Sequence, residues 1–336
     1  MKKYLIVGPS WVGDMVMAGS LFSLLASRGG IIDVLAPGWS LPMLKRMPDV
    51  RSGIEMPLAH GEFGLGRRRR VGRSLATSGY DCAIVLPRSF KSALVPWFAR
   101  IPVRTGFRGE FRFGLLNDIR PFDENILDQT VKRFAALGLD RDEALPASLP
   151  APVLTPDTRS LRSVMTRLRL GHDEPVVAMM PGAEYGPAKC WPLEYFATVA
   201  TELTKSGAQV WIFGSEKDRA AGGAISSGND AKNLCGKTSL EEVVDLLSVC
   251  RAAVTNDSGL MHVAAAVGSH VVALYGSTTP AFTPPLTEDA SIVYLSLECS
   301  PCFERECPLQ HFRCMRDIEP AEVLGCVQPL LASARA

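Results

Sequence analysis

Short apolar runs alternate with helix-like stretches along the chain, and a proline-rich segment interrupts this alternation once. Before the interruption, a helix candidate covers residues 14–27, and the strand candidates are residues 3–7, 31–36 and 82–86. After it, the strand candidates are residues 176–180, 209–213, 252–255 and 271–275. Compact apolar runs of this length are typical of strands buried on both faces. Strands that alternate with helices predict parallel sheets covered by helices, so we expect an α/β fold.

The proline-rich segment, residues 145–152, reads Leu-Pro-Ala-Ser-Leu-Pro-Ala-Pro and has the character of a semi-extended linker. A chain of 336 residues also exceeds what one hydrophobic core usually serves. We therefore predict two domains, residues 1–150 and residues 151–336. Ligands of open parallel sheets bind beyond the carboxyl ends of the strands, so the residues that follow each strand are the functional candidates.

The composition excludes several classes of protein. Apolar residues make up 47% of the chain and charged residues 21%, which is typical of a well-packed globular protein. A net charge of +1 creates no global field that would select nucleic acid or an anionic membrane. The apolar start of the chain is ended early by Gly8-Pro9, and no small-residue cleavage site follows. We interpret it as a buried first strand and expect a cytoplasmic protein.

The loop after the first strand candidate reads Gly8-Pro9-Ser10-Trp11-Val12-Gly13-Asp14. It matches neither the Gly-x-Gly-x-x-Gly dinucleotide fingerprint nor a Walker A loop. Asp14 opens a helix, where the helix dipole favours a carboxylate. The same position suits a general base that takes a proton from an acceptor hydroxyl. The residues alone leave both interpretations open.

Residues 181–192 follow the first strand candidate of the second series. Gly182 and its small neighbours allow backbone amides to approach an anion, and Lys189 adds a positive charge just before a helix. This combination predicts a diphosphate site in the loop that also contains Glu184. The alternative is a surface lysine in a flexible loop. After the next strand candidate, either Glu216 or Asp218 can accept hydrogen bonds from ribose hydroxyls, or both are solvated loop charges.

The strongest local signal is the stretch Thr-Asn-Asp-Ser-Gly-Leu-Met-His at residues 255–262. Polar residues here end a strand and open a helix of small and apolar residues. His262 lies one helical turn after Ser258, so both side chains can face one ligand. A satisfied core histidine is the alternative, but the preceding Asp257-Ser258-Gly259 favours function. A further glycine and hydroxyls follow the next strand candidate at Gly276, Ser277 and Thr278.

Two local charge clusters are open to more than one interpretation. Residues 67–73 contain five arginines and are a solvated helix face, a nucleic-acid patch or a site for an anionic ligand. Helical nucleic acid usually needs a wider basic surface, so we expect no nucleic-acid partner. Asp140-Arg141-Asp142 matches the metal-binding Asp-x-Asp pattern of some transferases. It lies away from every strand end, so we interpret it as a solvated loop.

Four cysteines crowd near the end of the chain with the spacing Cys-x2-Cys-x4-Cys-x6-Cys, at Cys299, Cys302, Cys307 and Cys314. Thiols this close can bind zinc or an iron–sulfur cluster, although the paired spacing of zinc sites is only half present. Disulfides and free thiols are the alternatives. A structural metal at this cluster is therefore one hypothesis among three.

Taken together, these motifs resemble those of the ADP-heptose:lipopolysaccharide heptosyltransferases of glycosyltransferase family 9. The resemblance covers nearly the whole chain. The stretches that carry it are residues 8–14, 89–96, 104–110, 114–118, 181–189 and 255–262. The resemblance implies the GT-B arrangement, in which two Rossmann-like domains face each other across a cleft. It also implies inverting transfer of L-glycero-D-manno-heptose from ADP-heptose, with the acceptor in the first domain and the donor in the second.

The resemblance further assigns roles to individual residues. The base of the family falls on Asp14, its phosphate-binding lysine on Lys189, and its donor-binding pair on Asp257 and His262. Main-chain groups near Thr238 are expected to meet the adenine. With these, we expect the donor to be bound by Gly182, Glu184, Glu216, Thr238, Asp257, Ser258, Gly259, His262, Gly276, Ser277 and Thr278. No cofactor is required if protein groups neutralise the diphosphate.

For the acceptor, the resemblance implies the lipopolysaccharide inner core on Kdo–lipid A, and transfer to its first heptose. Arginine binds carboxylates and phosphates bidentately, so the basic residues are candidate acceptor ligands. We expect contacts from Arg67, Arg70, Lys91, Arg104 and Arg108. A lipid-linked acceptor also implies transient contact with the inner face of the inner membrane. The alternatives are heptose transfer to another core position, a nucleotide-sugar epimerase of similar architecture, and a non-catalytic nucleotide-sugar sensor.

Overall fold

A computed structural model describes residues 1–59, 61–171 and 173–332 of the protein. The chain forms two compact units, Met1–Val153 and Leu154–Ala336. Each unit has its own six-stranded sheet, and every strand pairs in parallel with its neighbours. The parallel α/β architecture predicted from the alternating pattern is therefore confirmed.

The first unit is built around a sheet with the strand order β3-β2-β1-β4-β5-β6. Its strands are β1 (Lys3–Val7), β2 (Ile31–Pro37), β3 (Val50–Met56), β4 (Cys82–Val85), β5 (Val103–Phe107) and β6 (Asp118–Arg120). Its helices are α1 (Val12–Met17), α2 (Gly19–Ser27), α3 (Leu41–Leu44), α4 (Leu65–Ser74), α5 (Leu94–Phe98) and α6 (Thr130–Ala136). The order 3-2-1-4-5-6 is that of Rossmann-type dinucleotide-binding domains, as predicted.

The second unit repeats this topology with the strand order β12-β11-β10-β7-β8-β9. Its strands are β7 (Val176–Met180), β8 (Gln209–Ile212), β9 (Lys232–Asn233), β10 (Ala252–Asn256), β11 (His270–Tyr275) and β12 (Ala290–Tyr294). Its helices are α7 (Thr158–Leu168), α8 (Leu193–Lys205), α9 (Arg219–Ile225), α10 (Leu240–Leu247), α11 (Gly259–Ala266), α12 (Arg313–Arg316) and α13 (Pro320–Ala332).

The cores lie where apolar strands and helix faces meet. In the second unit every residue of β7 and β10 is buried, because helices cover both faces of these central strands. Removing one valine or leucine side chain from water stabilises the fold by about 1.5–3 kcal/mol, so these strands contribute much of the unit's stability. Helix α10 begins with a capping box, in which Ser239 and Glu242 exchange side-chain and backbone hydrogen bonds.

Several elements differ from the predictions. The single helix expected over residues 14–27 is two helices, α1 and α2, which meet at Ala18. The edge strands β3, β6, β9 and β12 and the inner strand β5 were not predicted, because they mix polar and apolar residues and lack a continuous apolar run. Residues 140–142 lie in an exposed turn, which confirms the solvated loop. Over the ranges that the structure describes, no helix combines the length and apolar character needed to cross a bilayer.

Candidate functional site

The strand order of the second unit brings three loops together. Strand β10 pairs with β7 on one side and with β11 on the other, so the loops at their carboxyl ends are neighbours. The chain changes direction across the sheet between β7 and β10, and ligands of doubly wound sheets bind at this switch point. The loop with Lys189, the residues after Asn256 and the loop with Gly276 all lie at this edge.

Asp257 is the centre of the polar cluster at this edge. Its carboxylate is 95% buried and accepts a hydrogen bond from the Lys189 Nζ at 2.6 Å. The Thr278 hydroxyl donates to the same Oδ2 at 2.6 Å, and the Thr283 hydroxyl donates to Oδ1 at 3.4 Å. The Lys189 ammonium also lies 5.0 Å from the centre of the Tyr185 ring. A lysine ammonium has three donors, so this arrangement fixes the cation and leaves donor capacity for an anion.

Asn256 connects the Lys189 loop to the end of β10. Its Oδ1 accepts the backbone N–H of Trp191 at 3.0 Å, and its Nδ2 donates to the Pro181 carbonyl at 2.6 Å. Both ends of the loop are thereby tied to one fully buried side chain. No role was predicted for Asn256, although an amide that ends an otherwise apolar strand was a usable signal.

His262 lies in the first turns of α11 and is 4% exposed. The pKa of His262 is lowered to about 4, mainly by burial. The negative charge of Asp257 opposes this shift, and the positive charge of Lys189 adds to it. The imidazole is therefore neutral at neutral pH. Its Nδ1 has no hydrogen-bond partner among the described residues. A buried polar atom of this kind is costly unless a ligand or water completes it. Ser258, the N-cap residue of α11, has its hydroxyl 3.3 Å from that of Thr255.

The loop after β11 is the third loop at this edge of the sheet. An added Cβ at Gly276 would lie 2.4 Å from the Met315 sulfur, so a larger residue here would have to displace the buried Met315 side chain. Ser277 is 1% exposed, and its hydroxyl has no partner in the part of the chain that the structure describes. The Ser277 carbonyl accepts the N–H of Phe303 at 2.7 Å. The loop is therefore held by the segment near the cysteines.

The same segment braces the Lys189 loop. The Tyr185 hydroxyl donates to the Phe303 carbonyl. Arg305 Nε donates to the Tyr185 carbonyl at 2.7 Å, and the Arg305 carbonyl accepts the N–H of Ala188 at 3.1 Å. We call residues 303–305 the brace, because they join the loops that carry Lys189 and Ser277.

The two acids considered for ribose have different surroundings. Asp218 accepts the backbone N–H and the hydroxyl of Ser215, each at 2.8 Å, and closes a capping box. An added Cβ at Gly182 would lie 2.7 Å from the same carboxylate, so Gly182 permits close packing on it. The Glu216 carboxylate, in contrast, is 66% exposed and pairs only at the surface with Arg219 at 3.0 Å. Of the two, Glu216 keeps the more available carboxylate.

Glu184 and Thr238 are two further donor candidates. Glu184 forms an exposed ion pair with Lys217 at 3.5 Å. The Thr238 hydroxyl is buried without a hydrogen-bond partner within the described ranges and directly precedes the cap of α10. An exposed ion pair of this kind contributes about 0–1 kcal/mol, so Glu184 is free to exchange its partner.

The four clustered cysteines line one cavity together with Ser277 and His311. Burial, with a contribution from the other three thiols, raises the pKa of Cys314 to about 11. All nine cysteines are free thiols. Across the described residues, no group of three or more His, Cys, Asp or Glu side chains is arranged to hold a metal ion. The hypothesis of a structural metal is therefore not supported, because a metal site needs deprotonated thiols that converge on one point.

In the first unit, Asp14 follows the central strand. Strand β1 lies between β2 and β4, so the loop after it is also at a switch point. Asp14 is half-buried in the first turn of α1, between the buried residues Gly13 and Met15. An added Cβ at Gly8 would lie 2.7 Å from the Met15 side chain, so this glycine lets α1 pack closely on the strand end. The position suits both a helix-start carboxylate and a general base.

The arginine cluster is the exposed face of α4 with one buried member. Arg68 is 7% exposed and donates to the carbonyls of Phe63 at 2.7 Å and of Lys91 at 3.2 Å. Arg67 binds the Glu62 carboxylate at 3.0 Å. The other arginines of the cluster are exposed, namely Arg69, Arg70 and Arg73. One of the five arginines thus serves the fold.

The other predicted acceptor residues are split in the same way. Arg104 donates through Nε to the Leu115 carbonyl and through Nη1 to the Ile101 carbonyl, each at 2.6 Å. Burial lowers the pKa of this guanidinium. Arg108 is exposed and Lys91 is half-buried. The sequence could not separate these uses, because the partners of Arg68 and Arg104 are backbone carbonyls that only the fold brings near.

Known proteins resemble this chain over its full length. The profile of glycosyltransferase family 9 (heptosyltransferase) matches residues 68–313. The chain is 46% identical to the lipopolysaccharide heptosyltransferase 2 of Salmonella typhimurium, over 98% of this chain and 99% of that protein. It superposes on the E. coli ADP-heptose lps heptosyltransferase II with a TM-score of 0.89 and 43% identity, with complete coverage of both chains. A UDP-GlcNAc 2-epimerase from Methanocaldococcus jannaschii, 12% identical with a TM-score of 0.54, shares the fold alone.

Proposed function

The chain belongs to glycosyltransferase family 9, the heptosyltransferases, and we propose that it transfers an L-glycero-D-manno-heptosyl group from ADP-heptose to the first heptose of the lipopolysaccharide inner core. The 46% identity to a heptosyltransferase of this kind supports the proposal. The fold agrees, since the chain matches the GT-B enzyme from E. coli over its full length.

The observation that carries the proposal is the buried Lys189–Asp257 pair at the switch point of the second unit. A lysine held by a buried carboxylate, beside a neutral histidine with an unpartnered nitrogen, suits the diphosphate of a nucleotide sugar. The Lys189 ammonium stabilises the negative charge that gathers on ADP as it leaves. A preorganised donor aimed at developing charge contributes about 3–4 kcal/mol to transition-state stabilisation.

The other donor contacts follow from this placement. His262 and the start of α11 at Ser258 and Gly259 bind the phosphates, together with Gly276, Ser277 and Thr278. Glu216 accepts hydrogen bonds from the ribose hydroxyls, since its carboxylate is exposed. Main-chain groups near Thr238 meet the adenine. The protein groups neutralise the diphosphate, so the transfer proceeds without a cofactor.

In the first unit, Asp14 acts as the general base. Its carboxylate takes the proton from the acceptor hydroxyl as that oxygen attacks the anomeric carbon, which inverts the configuration. The acceptor is the inner core on Kdo–lipid A, whose carboxylates and phosphates are bound by Arg70 and Arg108. Arg67, Lys91 and Arg104 add to this surface through the donors that their structural contacts leave available. The enzyme works in the cytoplasm, at the inner face of the inner membrane.

A transfer assay tests the proposal. Purified protein is mixed with ADP-heptose and with defined truncated cores that carry no heptose or one heptose. The masses of the products are then measured by mass spectrometry. We expect one heptose to be added to the one-heptose core only. Transfer to the core without heptose would show that the protein adds heptose at a different position of the core. Donor isomerisation without acceptor would identify an epimerase, and tight ADP-heptose binding without turnover on any core would identify a sensor.

A further inference from the structure

Three exposed phenylalanines and one half-buried phenylalanine of the first unit form what we call the aromatic surface: Phe63, Phe111 and Phe113 are exposed, and Phe90 is half-buried. Phe111 is 83% exposed and Phe113 is 58% exposed, and their ring centres lie 5.5 Å apart. Phe63 is 49% exposed and stacks on Phe90 with the ring centres 6.5 Å apart. Monomeric proteins rarely leave contiguous aromatic side chains in water, so an exposed group of this kind marks an interaction site.

Hydrogen bonds join the loops that carry the two ring pairs. The N–H of Phe90 donates to the Glu110 carboxylate at 2.7 Å, and the N–H of Glu110 donates to the Arg88 carbonyl at 3.2 Å. The loop with Phe90 is therefore joined to the loop with Phe111. Arg68 adds α4 to the same region, because its guanidinium donates to the carbonyls of Phe63 and Lys91.

The exposed pair is held outward by the buried residue between its members. Arg112 is 2% exposed, and its guanidinium donates to the Pro87 carbonyl at 2.7 Å and to the Phe107 carbonyl at 2.5 Å. Since Arg112 is anchored inside the unit, Phe111 and Phe113 on either side of it are presented to solvent. A buried anchor therefore lies between the two exposed rings.

Cations outnumber acids beside the aromatic surface, where Glu110 is exposed and Glu62 is paired with Arg67. Arg88 and Arg108 are exposed on the two joined loops, and Arg88 lies 4.4 Å from the centre of the Phe122 ring. The exposed arginines of α4, such as Arg70, follow directly after the Phe63 loop. Apolar side chains such as phenylalanine, with arginines beside them, are typical of segments that bind the surface of an anionic bilayer.

We propose that the aromatic surface docks the first unit on an anionic phospholipid membrane, with Phe111 and Phe113 inserted among the headgroups. The proposal rests on the proposed function in one respect, since a lipid-anchored acceptor is what brings the enzyme to a membrane. Contact from the surface agrees with the finding that no helix in the described ranges can span a bilayer. Charge complementarity favours a membrane over a second copy of the chain, because two copies would oppose the same cations.

Vesicle co-sedimentation of the full chain tests the docking without any acceptor. We expect binding to vesicles that contain phosphatidylglycerol and much weaker binding to pure phosphatidylcholine. The double variant Phe111→Ser/Phe113→Ser should lower the partition coefficient about tenfold or more, because two aromatic anchors are lost. Leu309→Ser is the matched control, since Leu309 is 59% exposed in the other unit, and its binding should not change. Circular dichroism checks that each variant is folded.

Two outcomes overturn the proposal: no binding of the native chain to anionic vesicles, or equal binding by the double variant. Self-association that the double variant abolishes, without vesicle binding, would assign the surface to a second copy. The transfer assay is kept separate by using a short acceptor that lacks lipid, on which the double variant should retain native rates. Vesicle binding without any transfer would reject the proposed function alone, and transfer without vesicle binding would reject the docking alone.

Discussion

The two units share one strand order but present their polar groups in opposite ways. In the second unit the charged groups at the switch point are buried and bonded to one another, as the 2.6 Å contact between Lys189 and Asp257 shows. In the first unit the arginines available to a ligand are exposed on α4, while Arg68 and Arg104 are used by the fold. This difference suits a small donor in a preorganised pocket and a large anionic acceptor on an open surface.

Removing the buried cation should have the largest effect of the four variants that test this contrast. Lys189→Met should lower kcat/KM for transfer about 10²- to 10³-fold, because a preorganised donor is lost and Asp257 keeps an unpaired buried charge. Steady-state kinetics with varied ADP-heptose measure the loss. The double variant Lys189→Met/Asp257→Asn separates the two causes, and Lys205→Ala, a surface lysine that is 67% exposed, is the control. A native rate in the single variant would remove Lys189 from the donor site.

The buried histidine should make the second unit sensitive to acid. The folded-state pKa of His262 is about 4 and its ordinary value is 6.5, so the unfolded chain binds the proton first. The stability that the neutral His262 contributes is complete above pH 6.5 and is lost as the pH falls toward 4. The free energy of unfolding should fall by roughly 3 kcal/mol over this range. Urea unfolding of the native chain and of His262→Gln across this window measures the difference. Parallel pH curves for the two proteins would contradict the burial of a neutral imidazole.

Weakening the brace should weaken binding of the donor and leave binding of the acceptor unchanged. Arg305→Ala removes the 2.7 Å hydrogen bond to the Tyr185 carbonyl, so the Lys189 loop loses part of its support. We expect the KM for ADP-heptose to rise about tenfold, the effect of one charge-assisted hydrogen bond, while the KM for the acceptor stays constant. Arg313→Ala, which breaks an exposed pair with Asp317 in the same unit, is the control. Equal changes in both KM values would show that the brace does not act on the donor loop.

Single exposed arginines should matter least. Arg70→Ala should raise the KM for the acceptor about two- to fivefold, because one exposed ionic contact contributes about 1 kcal/mol or less. The effect should shrink as salt is added. Arg159→Ala, an exposed arginine of the second unit, should have no effect. Arg68→Ala should lower the stability of the fold and leave the affinity for the acceptor unchanged. If Arg68→Ala lowered acceptor affinity and Arg70→Ala lowered stability, the two arginines would have been assigned the wrong uses.

The sequence predicts the elements whose own residues form a continuous pattern, and it misses those that depend on contacts with distant residues. The central strands β1, β7, β10 and β11 are continuous apolar runs, and their bounds were predicted to within one residue. Edge strands such as β9 face solvent, so their residues carry no comparable pattern. Motif spacing likewise indicated the loops with Lys189, Asp257 and His262. It did not indicate that Asn256 ties the Lys189 loop to β10, because that contact joins residues 65 positions apart.

In the proposed function, the second unit binds the donor and the first unit supplies the base. The most direct test measures both properties in Asp14→Asn, by calorimetric titration with ADP and by the transfer assay. We expect ADP to bind with native affinity and turnover to fall about 10²- to 10⁴-fold, as is usual when a general base is removed. Near-native turnover would contradict the role of Asp14 as the base, because Asp14 would then serve only the start of α1.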